Sequence, residues 1–257
     1  MPEERVRFVK HLEELRSRLL LCVIAVAVGF GAAYTFKEKI FEWLMLPMIR
    51  ALPGDGPQKL VYTAPHEAFV THIKVSLIAG IGLAMPVILY EVWRFTAPGL
   101  NKGERRTFFP VTLVSTLFYS CGVLFAYFVV FPQAFHFFTS FANDTVTPMI
   151  STREYLSFAA QFLLAFGIIF ELPIFIFVLA RMGLVSSRLL RRQRRYAILL
   201  IFAVAAILTP TPDAFTQCMM AGPLLILYEA SIWIAHFFGR TEKRAVIPPE
   251  RTPVSAN

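Results

Sequence analysis

The chain has 257 residues, 56% of them hydrophobic and only 16% charged, with 26 phenylalanines and a mean hydropathy of +0.60. Soluble domains average about 25% charged residues, so the composition excludes an ordinary water-soluble globule and points to a membrane protein. The net charge of +8 does not signal nucleic acid: the basic residues flank apolar runs, as membrane topology requires, and no aromatic-plus-basic RNA motif is present.

Taken in chain order, the apolar runs predict an all-α membrane protein of six transmembrane helices, at about 19–36, 69–96, 108–133, 155–181, 197–209 and 215–237. They form one polytopic membrane domain over 1–240, with a disordered cytoplasmic tail over 241–257, where IPPERTPVSAN is Pro-rich. The first run is longer than the roughly 7–15 apolar residues of a cleaved leader and is expected to be retained. Between the first two runs, KEKIFEWLMLPMIR has apolar residues near helical spacing, which predicts an interfacial helix. ALPGDGP after it reads as a turn.

The fifth run, YAILLIFAVAAIL, reaches only about 20 Å as a helix, against a hydrocarbon core of about 30 Å. Local bilayer thinning or water on that side is expected. Pro86, Pro110, Pro173 and Pro223 fall within runs. Each removes a backbone donor and bends its helix, which suggests a curved, concave bundle. Cys22, Cys121 and Cys218 also lie in apolar runs. Three widely spaced thiols there read as packing residues, not as a disulfide or zinc framework.

Lys and Arg set the orientation. About seventeen of them, among them Arg16, Arg18, Arg105, Arg106, Arg191 and Arg192, fall on the side that holds both termini, against five on the other. Both termini are therefore expected in the cytoplasm, with the chain multi-pass in a lipid bilayer.

The chemistry-bearing residues are few. HEAFVTH over 66–72 lacks the second histidine that a zinc-protease helix needs, because Val70 stands there. No GxSxG elbow and no GKS loop occur, so hydrolysis of esters or nucleotides has no parts, and neither an enzyme nor a cofactor is expected. Glu171, in LLAFGIIFELPIFIFVL, lies mid-run, where a charge costs about 2.5–3.5 kcal/mol on insertion scales. It reads either as a polar contact on a functional surface or as a structural carboxylic acid. Glu229 in LLILYEASIW carries the same two readings, and Glu91 in ILYEVWRF has Arg94 three positions on. Glu13, Glu14 and Glu104 lie on the cytoplasmic side among arginines. Glu14 has Arg18 at i+4 and Glu104 has Arg105 beside it, so each can be a solvated, paired charge. Together they can instead make a negative spot on a positive face, suited to a guanidinium fork.

HLEELRSRLL, APHEAFVTHIKVSLIAGIGLAMPVILYEVWRFTAPGLNKGERR, FAYFVVFPQAF, AFGIIFELPIFIFVL and LTPTPDAFTQ, in that order, resemble the TatC family, the multispanning core subunit of the twin-arginine protein translocase. The resemblance covers about residues 8–238. It implies a cupped six-helix bundle with short fifth and sixth helices and cytoplasmic termini, in a bacterial or archaeal inner membrane. It implies a receptor for twin-arginine signal peptides of folded precursors, driven by the proton-motive force. The implied partners are TatA- and TatB-type single-span subunits and further copies of the chain. It assigns signal-peptide binding to Glu14, Glu104, Arg16, Phe95, Arg105 and Arg106, and an intramembrane partner surface to Glu171, Thr209, Asp213 and Gln217. Residues alone leave a rival: a secondary solute transporter using intramembrane carboxylates, which usually shows an inverted repeat.

Overall fold

The computed structural model describes residues 2–51, 61–62, 64–96, 108–140, 150–208 and 214–239. Ten α-helices account for almost all of them: α1 (Pro2–Thr35), α2 (Lys37–Ala51), α3 (Glu67–Thr96), α4 (Phe108–Phe125), α5 (Phe131–Thr139), α6 (Thr152–Ile169), α7 (Leu172–Arg181), α8 (Ser187–Arg192), α9 (Arg194–Leu208) and α10 (Ala214–Phe238). Among the described residues, five stretches are long and apolar enough to cross a membrane: Leu12–Thr35, Glu67–Phe95, Phe109–Phe137, Thr152–Arg181 and Thr216–Phe238. The chain is thus an all-α, multi-pass membrane protein. The run expected to be the fifth span is α9, whose 15 residues extend about 22 Å, short of the roughly 30 Å apolar core. In contrast to the resemblance, which implies a short sixth helix, α10 has 25 residues and is of full spanning length.

Prolines punctuate the helices as their missing N–H demands. Pro110 sits in the first turn of α4, where no intrahelical donor is needed. Pro86 and Pro223 lie inside α3 and α10. Pro173 cannot donate to the carbonyl four residues back, and the chain breaks at Phe170–Glu171 between α6 and α7. A π-helical segment, Ala126–Val130, leads into Pro132. Pro47 in α2 leaves the carbonyl of Trp43 without its helical donor, and Tyr127 Oη–H supplies one at 2.7 Å. The buried Tyr155 hydroxyl donates to the neighbouring Leu44 carbonyl. The expected interfacial helix is therefore α2, tied to the membrane helices through two tyrosines.

The core is aromatic. Phe158, Phe162 and Phe166 recur every fourth residue along α6 and form one stripe. Ring centroids stand 4.7 Å apart for Phe162–Phe166 within α6 and 5.0 Å for Phe131–Phe162 between α5 and α6, so the two helices pack through tilted rings. Cys121 and Cys218 are exposed, which corrects the expectation that they pack inside.

α1 and α3 form the most extensive helix pair, and their register is set by two glycines. A Cβ on Gly29 would stand 2.4 Å from the Gly80 carbonyl oxygen, and one on Gly80 would stand 2.5 Å from the Phe30 nitrogen. The backbones touch only because neither residue has a side chain. With the helices antiparallel, each step back along α1 matches one forward along α3. Arg18 precedes Gly29 by as many residues as Glu91 follows Gly80, so those two side chains meet.

Candidate functional site

The meeting of Arg18 with Glu91 is the centre of a charged cluster near the start of the apolar stretch Leu12–Thr35 of α1. Arg18 Nη1 donates to Glu91 Oε2 at 3.1 Å, and Nη2 donates to Glu14 Oε1 at 2.5 Å. Arg94 Nη1 lies 3.8 Å from Glu91 Oε1. The i,i+4 pairing of Glu14 and the i,i+3 pairing of Glu91 were both expected from spacing; the bridge that joins them was not. The cluster grades from water to apolar interior: the Glu14 side chain is 43% exposed, Arg18 12% and Glu91 7%. Arg18 Nε is buried and has no partner among the described residues. One guanidinium is thus divided between an accessible acid and a buried one.

Of the other residues assigned to signal-peptide binding, Arg16 is exposed two residues after Glu14, about 200° around the helix, and Phe95 is half-buried near the end of α3. The α1–α3 pairing brings Glu14 and Phe95 to the same end of the molecule. Glu104, Arg105 and Arg106 lie outside the described residues.

The intramembrane set is divided. Glu171 is 8% exposed, held in the break that Pro173 imposes between α6 and α7. The Ser115 hydroxyl and the Tyr119 backbone face it, yet neither carboxyl oxygen has a hydrogen-bond partner among the described residues. Ser115 also accepts Trp93 Nε1–H at 2.9 Å. Gln217 donates to the Phe202 carbonyl at 3.0 Å and ties α10 to α9. Thr209 and Asp213 lie outside the described residues, as does the tail over 241–257. Glu229 accepts from Arg194 at 2.6 Å with both side chains nearly half exposed. It is a surface ion pair.

Sequence reasoning missed Glu67, which is 1% exposed. Its carboxylate accepts from the Ala64 N–H at 3.1 Å and from the Ser151 hydroxyl at 3.0 Å. Ser151 also caps α6 by accepting from the Glu154 N–H, and Val61 and Ile150 join in a short backbone bridge beside it. This carboxylate anchors two connections at the end of the molecule remote from Glu14. The signal was the local one at the start of a helix: an acid three residues after a backbone N–H that it can reach back to.

Between α2, α3, α4 and α6 lies an apolar groove of about 570 Å³, with Ile78, Leu83, Val123 and Leu163 on its walls and Lys39 as the one charged residue on it among the described residues. Glu171 is not on its lining.

Comparison with known proteins fixes the family. Residues 10–223 match the family model described as "Sec-independent protein translocase protein (TatC)". The Sec-independent protein translocase protein TatC of Desulforapulum autotrophicum is 51% identical over 238 residues, covering 93% of this chain and 87% of that protein. The protein of the same name from Escherichia coli K12 is 39% identical over 236 residues, covering 92% of this chain and 90% of that one. A crystal structure of the twin-arginine translocase receptor TatC superposes with a TM-score of 0.79 at 41% identity, covering 88% of this chain and 97% of that one. None of these supports the solute-transporter reading, and with a relative above half identity along nearly its whole length, this chain belongs to the TatC family of protein translocase components.

Proposed function

We propose that this chain is the signal-peptide receptor of a twin-arginine translocase, docking the arginine pair of a folded precursor's signal peptide at Glu14. The observation that carries this reading is that Glu14 already holds a guanidinium, that of Arg18, while remaining half open to water. A site that pairs with one arginine has the charge and the fork geometry for another. In this reading Glu104 is the second acid that receives the arginine pair, and Arg16, Phe95, Arg105 and Arg106 belong to the same binding set. The positive rim repels lone cations that the acids do not seat well, which favours a paired guanidinium over lysine.

Each charge-assisted bond contributes about 1.5–3 kcal/mol, less where water screens it. Two arginines alone fall short of the roughly −8 kcal/mol of micromolar binding. The apolar segment of the peptide supplies the remainder by packing along the bundle.

The excess of Lys and Arg on the Glu14 side supports cytoplasmic termini and an inner-membrane location. In this reading TatA- and TatB-type single-span helices are the partners, further copies of the chain assemble with them, and the proton-motive force drives transport. Glu171, Thr209, Asp213 and Gln217 form the intramembrane contact surface. The buried, unbonded carboxyl of Glu171 supports a functional role, since an acid that gains no hydrogen bond from the fold is kept at a cost to it.

Binding of a synthetic signal peptide to the full chain in nanodiscs tests the proposal. An Arg-Arg peptide is expected to bind more tightly than its Lys-Lys counterpart, and Glu14→Gln is expected to erase the difference. Equal binding of the two peptides refutes it.

A further inference from the structure

Arg18 poses a problem for any ligand of Glu14. Its guanidinium occupies the place that an arriving arginine needs, with Nη2 on Glu14 Oε1 and Nη1 on Glu91 Oε2. A bare displacement would leave a buried cation with no counter-charge, which is strongly unfavourable. The cluster avoids that outcome by its asymmetry. Glu14 is the acid that water and ligands reach, whereas Glu91 is buried on α3 and fixed from a second direction by Arg94.

We propose that Arg18 is a resident stand-in for the ligand's guanidinium at Glu14, and that Glu91 is the positioning residue that keeps Arg18 compensated when a ligand arginine takes its place. Glu91 never touches the ligand. It acts through Arg18 and lowers the cost of uncovering Glu14. The exchange swaps one guanidinium for another on the same carboxylate, so net charge within the buried part of the cluster is unchanged. A ligand lysine makes the same swap poorly, because a point ammonium replaces a fork. The glycine contact between Gly29 and Gly80 holds α1 and α3 in the register that puts Glu91 within reach. This inference rests on the reading of Glu14 as the peptide site.

The direction of each effect follows. In Glu91→Gln, Arg18 has Glu14 as its one full counter-charge in the cluster and holds it harder, so the Arg-Arg peptide binds severalfold more weakly. In Arg18→Gln the stand-in is gone, Glu91 keeps Arg94, and the peptide binds severalfold more tightly. The double variant Arg18→Gln/Glu91→Gln binds like Arg18→Gln alone, because Glu91 has nothing left to act through. Arg18→Lys keeps the charge but cannot fork to both acids, and binding shifts toward that of Arg18→Gln.

The measurement is the dissociation constant of a labelled Arg-Arg peptide on the full chain in nanodiscs, for wild type, the four variants above and Glu14→Gln. A double variant in which the two single effects simply multiply overturns the inference, as does wild-type affinity in Glu91→Gln. Should Glu91→Gln fail to fold, wild-type affinity in both Arg18→Gln and Arg18→Lys overturns it equally. If Glu14→Gln leaves binding intact, the underlying site assignment falls instead; loss of binding there with no effect at Arg18 or Glu91 removes the stand-in alone.

Discussion

Glu91 and Glu171 are buried to the same degree, at 6% and 8% exposure, and both interrupt apolar helical sequence. Their surroundings are opposite. Glu91 lies between guanidinium groups from α1 and α3. Glu171 sits in a proline-imposed break with neither oxygen bonded among the described residues. The difference teaches that burial alone does not define a functional acid in a membrane helix. A paired acid belongs to the folded chain, whereas an unpaired one is a cost to the fold.

Replacement by leucine separates the two most sharply. Glu91→Leu strips Arg18 of the buried one of its two acids and leaves Nη1 without its acceptor, which costs about 1–3 kcal/mol while Glu14 still compensates the charge. Glu171→Leu removes an unbonded polar group and is expected to leave stability unchanged or raise it by about 1 kcal/mol. Thermal unfolding of the two variants in one detergent checks this, and equal destabilisation breaks the comparison. The functional readout runs the other way for Glu171. Export of a folded precursor falls in Glu171→Leu despite the intact fold, and Glu171→Gln, which can still hydrogen-bond, retains most of it.

The next effect concerns how Glu91 reaches Arg18 at all. Gly80→Ala places a methyl group 2.5 Å from the Phe30 nitrogen, which forces α1 and α3 apart. Overpacking of this kind costs about 1–3 kcal/mol. It also lengthens the Arg18–Glu91 bridge, so Glu91→Leu is expected to cost less in the Gly80→Ala background than alone. A double-mutant cycle on unfolding midpoints gives the coupling. Strict additivity would show that the glycine contact does not set the bridge.

Sequence carried the local half of this picture. The helices were legible from apolar runs, α2 from its helical spacing, and a bend near Glu171 from Pro173, although the run over 155–181 read as one span and not as two helices. Glu14 with Arg18 and Glu91 with Arg94 were legible because i,i+3 and i,i+4 neighbours share a helix face. What joins those pairs was not legible. Arg18 and Glu91 are 73 residues apart, and their contact depends on a backbone approach between Gly29 and Gly80 that no periodicity reports. The α10 length was legible too: the apolar run at 215–237 falls one residue short of the helix at each end, and only the resemblance implied a shorter one.

Glu229 is the weakest member of the set and sharpens the rule from the other side. It stands in an apolar run much as Glu171 does, and spacing alone gave both the same two readings. Yet it pairs with Arg194 at the start of α9, with side chains 43% and 49% exposed. Two long side chains held in one geometry at high dielectric gain little from their attraction, typically under about 1 kcal/mol. Glu229→Gln is therefore expected to shift the unfolding midpoint scarcely at all at low salt, and not measurably once salt screens the pair. Export in that variant stays at the wild-type level. A loss comparable to that of Glu171→Leu would mean that run position, and not the partner a carboxylate finds, decides which acids this chain uses.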